Sequence, residues 1–138
     1  MYLDTSILAK LFVQEPDSEA CAARVAGAVL VSSELSYAEF YSMLLRKERS
    51  GEISPGERSA AWLEFKRQLA AGDIRLTPLD GSIVQKAQEI IHEVHPRVPL
   101  RTLDALHLAT YLDAWTSPLF TNDRRMREAA TQLEIALA

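Results

Sequence analysis

Apolar runs of strand length alternate with helical stretches along this chain. That alternation predicts an α/β fold in three layers, α/β/α, with roughly five parallel strands between helices. Two further observations agree. The strand candidate Ala28-Val29-Leu30-Val31-Ser32 is continuously apolar rather than alternating, as in strands covered on both faces. Acids also recur where strands stop and helices begin, the edge at which an open parallel sheet binds its ligands. Residues 1–138 read as one domain, with no repeat, low-complexity tract or interdomain linker.

In order, Met1-Tyr2-Leu3 is a short buried strand ending in Asp4. A helix from about Thr5 to Val13 follows and stops before Pro16. A second, Ala-rich helix runs from Asp17 to Ala26 and ends at Gly27. After the 28–32 strand, Ser33-Glu34 opens a helix to about Ser50 whose expected core stripe is Tyr37, Phe40, Tyr41, Leu44 and Leu45. Ser54-Pro55-Gly56-Glu57 is a capping box with proline in the first turn, opening a helix that carries Trp62, Phe65 and Leu69 to Gly72. Ile74 to Thr77 is a third strand, and Asp80 caps the helix through Val84, Ala87, Ile90, Ile91 and Val94. A helix from Thr102 to Ala114, a strand Leu119 to Thr121, a helix Arg124 to Thr131 and a last strand Leu133 to Leu137 complete the chain.

The net charge of −4, from 19 acids against 15 Lys and Arg, argues against binding nucleic acid by bulk positive charge. It leaves open a nucleic-acid enzyme whose acids hold cations, because bound ions invert the local sign. Cys21 is the only cysteine, so no internal disulfide forms and a reducing, cytoplasmic setting fits. No apolar run reaches membrane-spanning length, and the start does not read as a signal peptide.

Four acids fall toward one edge of the predicted sheet. Asp4 and Asp123 end the first and fourth strands, Glu39 lies near the start of the helix after the second, and Asp104 lies in the first turn of its own helix. Each has an ordinary alternative: Asp4 and Asp123 as helix caps, Asp104 as a first-turn acid favoured by the helix dipole, Glu39 as a solvated surface acid. Glu39 is about 180° round its helix from the Phe40–Leu44 stripe, so it faces a cleft or water. Four ionised carboxylates side by side need compensation. Oxygen donors without a Cys or His cluster select Mg²⁺ or Mn²⁺, one ion or two, rather than zinc. Such a site activates water for in-line attack on a phosphodiester. Thr5, Ser6 and Thr121 are hydroxyl neighbours able to orient the acids, and equally ordinary cap and turn residues.

The segments Leu3-Asp4-Thr5-Ser6, Ser36-Tyr37-Ala38-Glu39, Leu103-Asp104-Ala105-Leu106-His107-Leu108-Ala109 and Thr121-Asn122-Asp123 together resemble the PIN-domain family, most closely its VapC toxin branch. The resemblance implies a Mg²⁺- or Mn²⁺-dependent endoribonuclease that leaves a 5′-phosphate. It also implies a homodimer and inhibition by a cognate antitoxin that lays a peptide beside the active site. Carried over, Asp4 and Asp104 are the principal metal ligands and Glu39 and Asp123 complete the shell. Ser6 supports Asp4, and Thr121 fixes the Asp123 loop.

Arg101, Arg124 and Arg125 flank the acids and are the candidates for RNA backbone contacts, with Lys10 a further one. Arg46, Lys47 and Arg49 read instead as cations favoured at a helix C-terminus. His107 is a general-base candidate, but a single histidine in an apolar helix reads more simply as a hydrogen-bonded core residue. His92 and His95 read as surface residues, and Trp62 and Trp115 as core or interface packing. Two rivals stand beside the nuclease. One is an inactive PIN-like scaffold that only binds partners. The other, an aspartyl-phosphate enzyme or receiver, fits poorly: Ser6 stands where such phosphatases carry a second Asp, and no Lys lies beyond Lys86.

Overall fold

The computed structural model describes residues 1–114 and 117–138. Its elements are β1 (Tyr2–Leu3), α1 (Thr5–Ala9), α2 (Ser18–Val25), β2 (Leu30–Ser33), α3 (Leu35–Arg49), α4 (Pro55–Ala71), β3 (Ile74–Thr77), α5 (Gly81–Val94), α6 (Thr102–Asp113), β4 (Leu119–Phe120) and α7 (Arg124–Gln132). The sheet order is β3-β2-β1-β4, and every neighbouring pair is parallel.

Side chains alternate across a strand, so adjacent residues of β1 enter different cores. Tyr2 joins Ile83, Ile90, Leu108, Leu119 and Met126, under α5, α6 and α7. Leu3 joins Ile7, Leu8, Phe40, Leu44 and Phe65, under α1 to α4. The central strands are covered on both faces, as their continuous apolar runs require.

The local signals fold as expected where the chemistry is local. The Glu57 amide donates to Ser54 Oγ at 3.2 Å, and Glu57 Oε2 accepts from the Ser54 amide at 2.7 Å. Asp80 Oδ1 accepts from the amides of Ser82 and Ile83 and starts α5. Gly72 ends α4 at φ 78°, a left-handed conformation that glycine adopts without a Cβ clash.

Three expectations need correction. Among the described residues the sheet has four strands rather than roughly five. Of the expected last strand, Leu137 makes one parallel bridge to Leu119, because β4 is two residues long and offers little edge, and Glu134 turns the chain at φ 57°. The first helix closes at Ala9 and continues only as turns. The inward face of α3 is Ser36, Phe40, Leu44 and Lys47. Tyr37 is 44% exposed, because it and Tyr41 turn sideways onto Trp62, with ring centroids 4.9 and 4.8 Å away. Trp62 therefore packs as expected, whereas Trp115 lies outside the described residues. His92 and His95 are exposed. Among the described residues no helix is long and apolar enough to cross a membrane.

Candidate active site

Two strand ends and two helix starts build one edge of the molecule. β1 pairs with β4 so that Leu3 lies opposite Phe120, which brings the next residues, Asp4 and Thr121, together. Asp4 is 4% exposed. Its Oδ1 accepts from the Ile7 amide and from Ser6 Oγ, each at 2.8 Å, and its Oδ2 accepts from Thr121 Oγ1. The capping role and the place at the edge thus coexist in one residue. Thr121 Oγ1 also accepts from the Asp123 amide at 3.1 Å, and Arg127 donates to the Thr121 carbonyl at 3.0 Å. Asp123 caps α7, its Oδ1 accepting from the Met126 amide at 3.0 Å.

Glu39 is half-buried and turned toward the end of β1. Its Oε2 accepts from Thr5 Oγ1, and from His107 Nε2 at 2.8 Å. Thr5 continues the network to Ser36 at 2.9 Å and Ser36 to Ser32 at 2.7 Å, while Ser32 donates to the Leu3 carbonyl at 2.7 Å. Hydroxyls thereby bind α1, α3, β2 and β1 together beneath the carboxylate. Burial alone would push the Glu39 carboxyl up, but the hydrogen bonds from His107 and the Thr5 hydroxyl hold it below its ordinary value.

Asp104, third residue of α6, accepts from the Arg101 amide through Oδ2 at 3.3 Å. Burial pushes its carboxyl up, and the negative charge of Asp123 pushes it further, so the two acids face shared space. A pattern runs through three of the acids. Glu39, Asp104 and Asp123 each anchor one oxygen, and the other (Oε1, Oδ1 and Oδ2) has no hydrogen-bond partner among the described residues. None of the four acids pairs with a Lys or Arg among the described residues. The donor chemistry, all oxygen and hard, fits Mg²⁺ or Mn²⁺. As the side chains stand, no group of three or more His, Cys, Asp or Glu among the described residues forms a ready metal site. Thr121 links Asp4 to Asp123, Asp104 lies close enough to Asp123 to feel its charge, and Thr5, next to Asp4 in the chain, bonds Glu39.

Other expected residues fall out differently. Ser6 and Thr121 do bond Asp4, but Thr5 serves Glu39. Arg101 is exposed, Arg125 half-buried, and Arg124 is exposed and paired with Glu128 at 3.2 Å. Lys10 is no free phosphate ligand: it pairs with Glu15 and Asp17 at 2.8 and 2.5 Å. His107 is 3% exposed, a hydrogen-bonded core residue as expected, yet it touches Glu39. Sequence reasoning did not find Tyr2, Ser32 or Ser36. A signal for His107 existed, because Asp104 and His107 are i, i+3 on one helical face. An open groove of about 540 Å³ runs from Glu39 along α3, lined also by Leu35, Ser42, Arg46, Arg49 and Leu103. Arg46 and Arg49, read as helix-end cations, face this groove.

The chain is 36% identical over 140 residues to Ribonuclease VapC46 of Mycobacterium tuberculosis, covering 99% of this chain and 95% of that protein. It shares its fold with the crystal structure of FitAcB from Neisseria gonorrhoeae, at a TM-score of 0.67 and 17% identity, over 99% of this chain and 94% of that one. Residues 1–132 match the PIN domain model, and the chain belongs to the PIN-domain family.

Proposed function

We propose that this protein is a divalent-metal-dependent endoribonuclease, the toxin half of a VapBC-type toxin–antitoxin pair, acting in the cytoplasm. The observation that carries the reading is the set of four carboxylates at one sheet edge, three of them (Glu39, Asp104 and Asp123) anchored through one oxygen and open at the other, with no lysine or arginine among the described residues paired to any of the four. The ribonuclease name of the relative from Mycobacterium tuberculosis supports the reaction class.

In this reading Asp4 and Asp104 are the principal ligands of Mg²⁺ or Mn²⁺, and Glu39 and Asp123 complete the shell. Such an ion, when bound, supplies activation of water and neutralisation of phosphate charge. The chain's own part is positional. Thr121 and Ser6 hold Asp4, the Thr121 hydroxyl and the Met126 amide hold Asp123, and Thr5 with His107 holds Glu39. The substrate phosphodiester runs past the acids, its flank following the α3 groove toward Arg46 and Arg49. Arg101, Arg124 and Arg125 contact backbone on the other side. We further infer a homodimer and a cognate antitoxin as partners. The apolar groove of about 460 Å³ between α5 and α6, with Val84, Ala87, Ile91 and Leu106, is the face offered for a second copy.

A PIN-like scaffold that binds partners without cutting is the second reading, favoured by the lack of a ready three-acid cluster among the described residues. RNA-end mapping after expression of the wild type and of Asp4→Ala decides between them. New 5′-phosphate ends confined to the wild type support the nuclease. Identical end maps from both proteins support the scaffold.

A further inference from the structure

The imidazole of His107 joins the acid edge to the core. Its Nε2 lies 2.8 Å from Glu39 Oε2, and its Nδ1 lies 2.9 Å from the phenolic oxygen of Tyr2. Tyr2 is fully buried, its ring edge-on to those of His107 and Tyr111. A tyrosine phenol carries its proton at neutral pH and can donate it in a hydrogen bond. A neutral imidazole carries one N–H and one lone pair, and the bond made at one nitrogen selects the tautomer at the other. A phenol donating to Nδ1 leaves the hydrogen on Nε2, aimed at the carboxylate. The opposite tautomer would turn a lone pair toward Glu39.

We propose that Tyr2 and His107 are positioning residues: the Tyr2 phenol selects the Nε2–H tautomer of His107, which with Thr5 clamps Glu39 Oε2 and presents Oε1 to a divalent ion. The inference rests on the metal-dependent reading above. Both donors converge on Oε2, while Oε1 has no hydrogen-bond partner among the described residues. The terminal torsion of a glutamate is soft, so the carboxylate's orientation is set by such partners rather than by its rotamer. Partners behind a ligating side chain are worth about 10–100-fold in metal affinity. In this account His107 is not the base that takes the proton of the attacking water. It is the strut behind one ligand, and Tyr2 is the strut behind His107.

Two measurements on the full chain test this at pH 8: ¹⁵N spectra of the histidine rings in metal-free protein, and Mn²⁺ binding by EPR titration. Metal-free wild type is expected to show His107 as the Nε2–H tautomer, and Tyr2→Phe to mix the two tautomers and weaken Mn²⁺ binding about tenfold. His107→Gln keeps an N–H for Glu39 but has no tautomer to select. It should bind Mn²⁺ nearly as the wild type does, and adding Tyr2→Phe to it should cost nothing further. His107→Leu fills the space without a donor and should weaken binding about 10–100-fold. If Tyr2→Phe proves too unstable to assay, the contrast between His107→Gln and His107→Leu carries the test. A Tyr2→Phe protein with wild-type Mn²⁺ affinity overturns the proposal, as does an equal loss in the His107 and Gln backgrounds, or equal affinities for His107→Gln and His107→Leu. Wild type that binds no Mn²⁺ takes down the metal-dependent reading and this inference with it. That outcome differs from a loss confined to the variants.

Discussion

Two clusters of acids in this molecule are built on opposite terms. Around α1, α2 and the end of α3, Glu15, Asp17 and Glu52 meet Lys10 and Lys47 in four ion pairs of 2.5 to 2.9 Å. Hydrogen bonds from Lys10 and Lys47 hold Glu15 below its usual range, Lys10 does the same for Asp17, and Ser50 with Lys47 for Glu52. At the sheet edge Asp4, Glu39, Asp104 and Asp123 receive hydroxyls, amides and one imidazole, but no lysine or arginine within ion-pair distance among the described residues. There Asp104 is pushed up, by burial and by Asp123. The contrast teaches that acid content does not mark a site. The first cluster is neutralised from within and serves the fold. The second is held in place and left charged, which costs stability unless something cationic arrives.

Breaking the edge cluster should have the largest effect on activity. Asp4→Asn and Asp104→Asn are each expected to lower RNA cleavage on the order of a thousandfold with the circular dichroism spectrum unchanged. Cleavage at the wild-type rate by either variant removes that residue from the reaction. Asp104→Asn sharpens the comparison further, because it should raise the Tm of metal-free protein while destroying activity. The sign follows from linkage. An acid whose folded pKa is raised binds protons more tightly folded than unfolded, so its penalty is absent at low pH and sets in as pH rises from its ordinary 3.8 through the raised value. The gain in Tm should therefore be present at pH 7 and vanish below about pH 3.5. Calorimetry of both proteins across pH 3 to 7 reads this, and an unchanged Tm at pH 7 would refute the repulsion between Asp104 and Asp123.

The internally neutralised cluster should behave in the reverse manner. Lys47→Met strips Glu15 and Glu52 of a partner and should lower Tm by about 5 °C at pH 7, with cleavage intact. For Glu15, whose folded pKa is lowered, the contribution is present above its ordinary 4.5 and lost as pH falls through the folded value. The wild-type advantage over Lys47→Met should thus shrink on acidification. Loss of cleavage in this variant would show that the two clusters are not separable. The smallest effect is expected along the groove. Arg46→Ala with Arg49→Ala should weaken RNA binding modestly and reduce its salt dependence by about one ion per arginine, leaving Tm unchanged. An unaltered salt slope would move the RNA path off α3.

The difference between the clusters also explains what could be read from the chain beforehand. Ser54 with Glu57, Asp80 and Gly72 act on neighbours two to four residues away, so their elements were legible. The Asp4, Asp104 and Asp123 positions were legible too, since strand ends and helix starts locate them. Glu39 was picked out by its place near the start of α3, off the core stripe, and by the resemblance of its segment to the family. Its hold by His107, 68 positions along the chain, depends on how α6 lies against α3, which no local rule supplies. Tyr2 looked like one more strand residue, because its partner is distant in sequence by 105 positions. Lys10 misled for a different reason: next to the Asp4 segment it resembled a phosphate ligand, but the turn after α1 brings the nearby Glu15 and Asp17 onto it. The expected fifth strand shrank to a single bridge, Leu137 to Leu119, because β4 is only two residues long.

Isothermal titration of the metal-free protein with Mn²⁺, run beside Asp4→Asn/Asp104→Asn, bears most directly on the claim that the edge carboxylates await a cation. A saturable heat in the wild type that disappears in the double variant is the predicted result. No saturable heat in the wild type, or the same isotherm from both proteins, would contradict it.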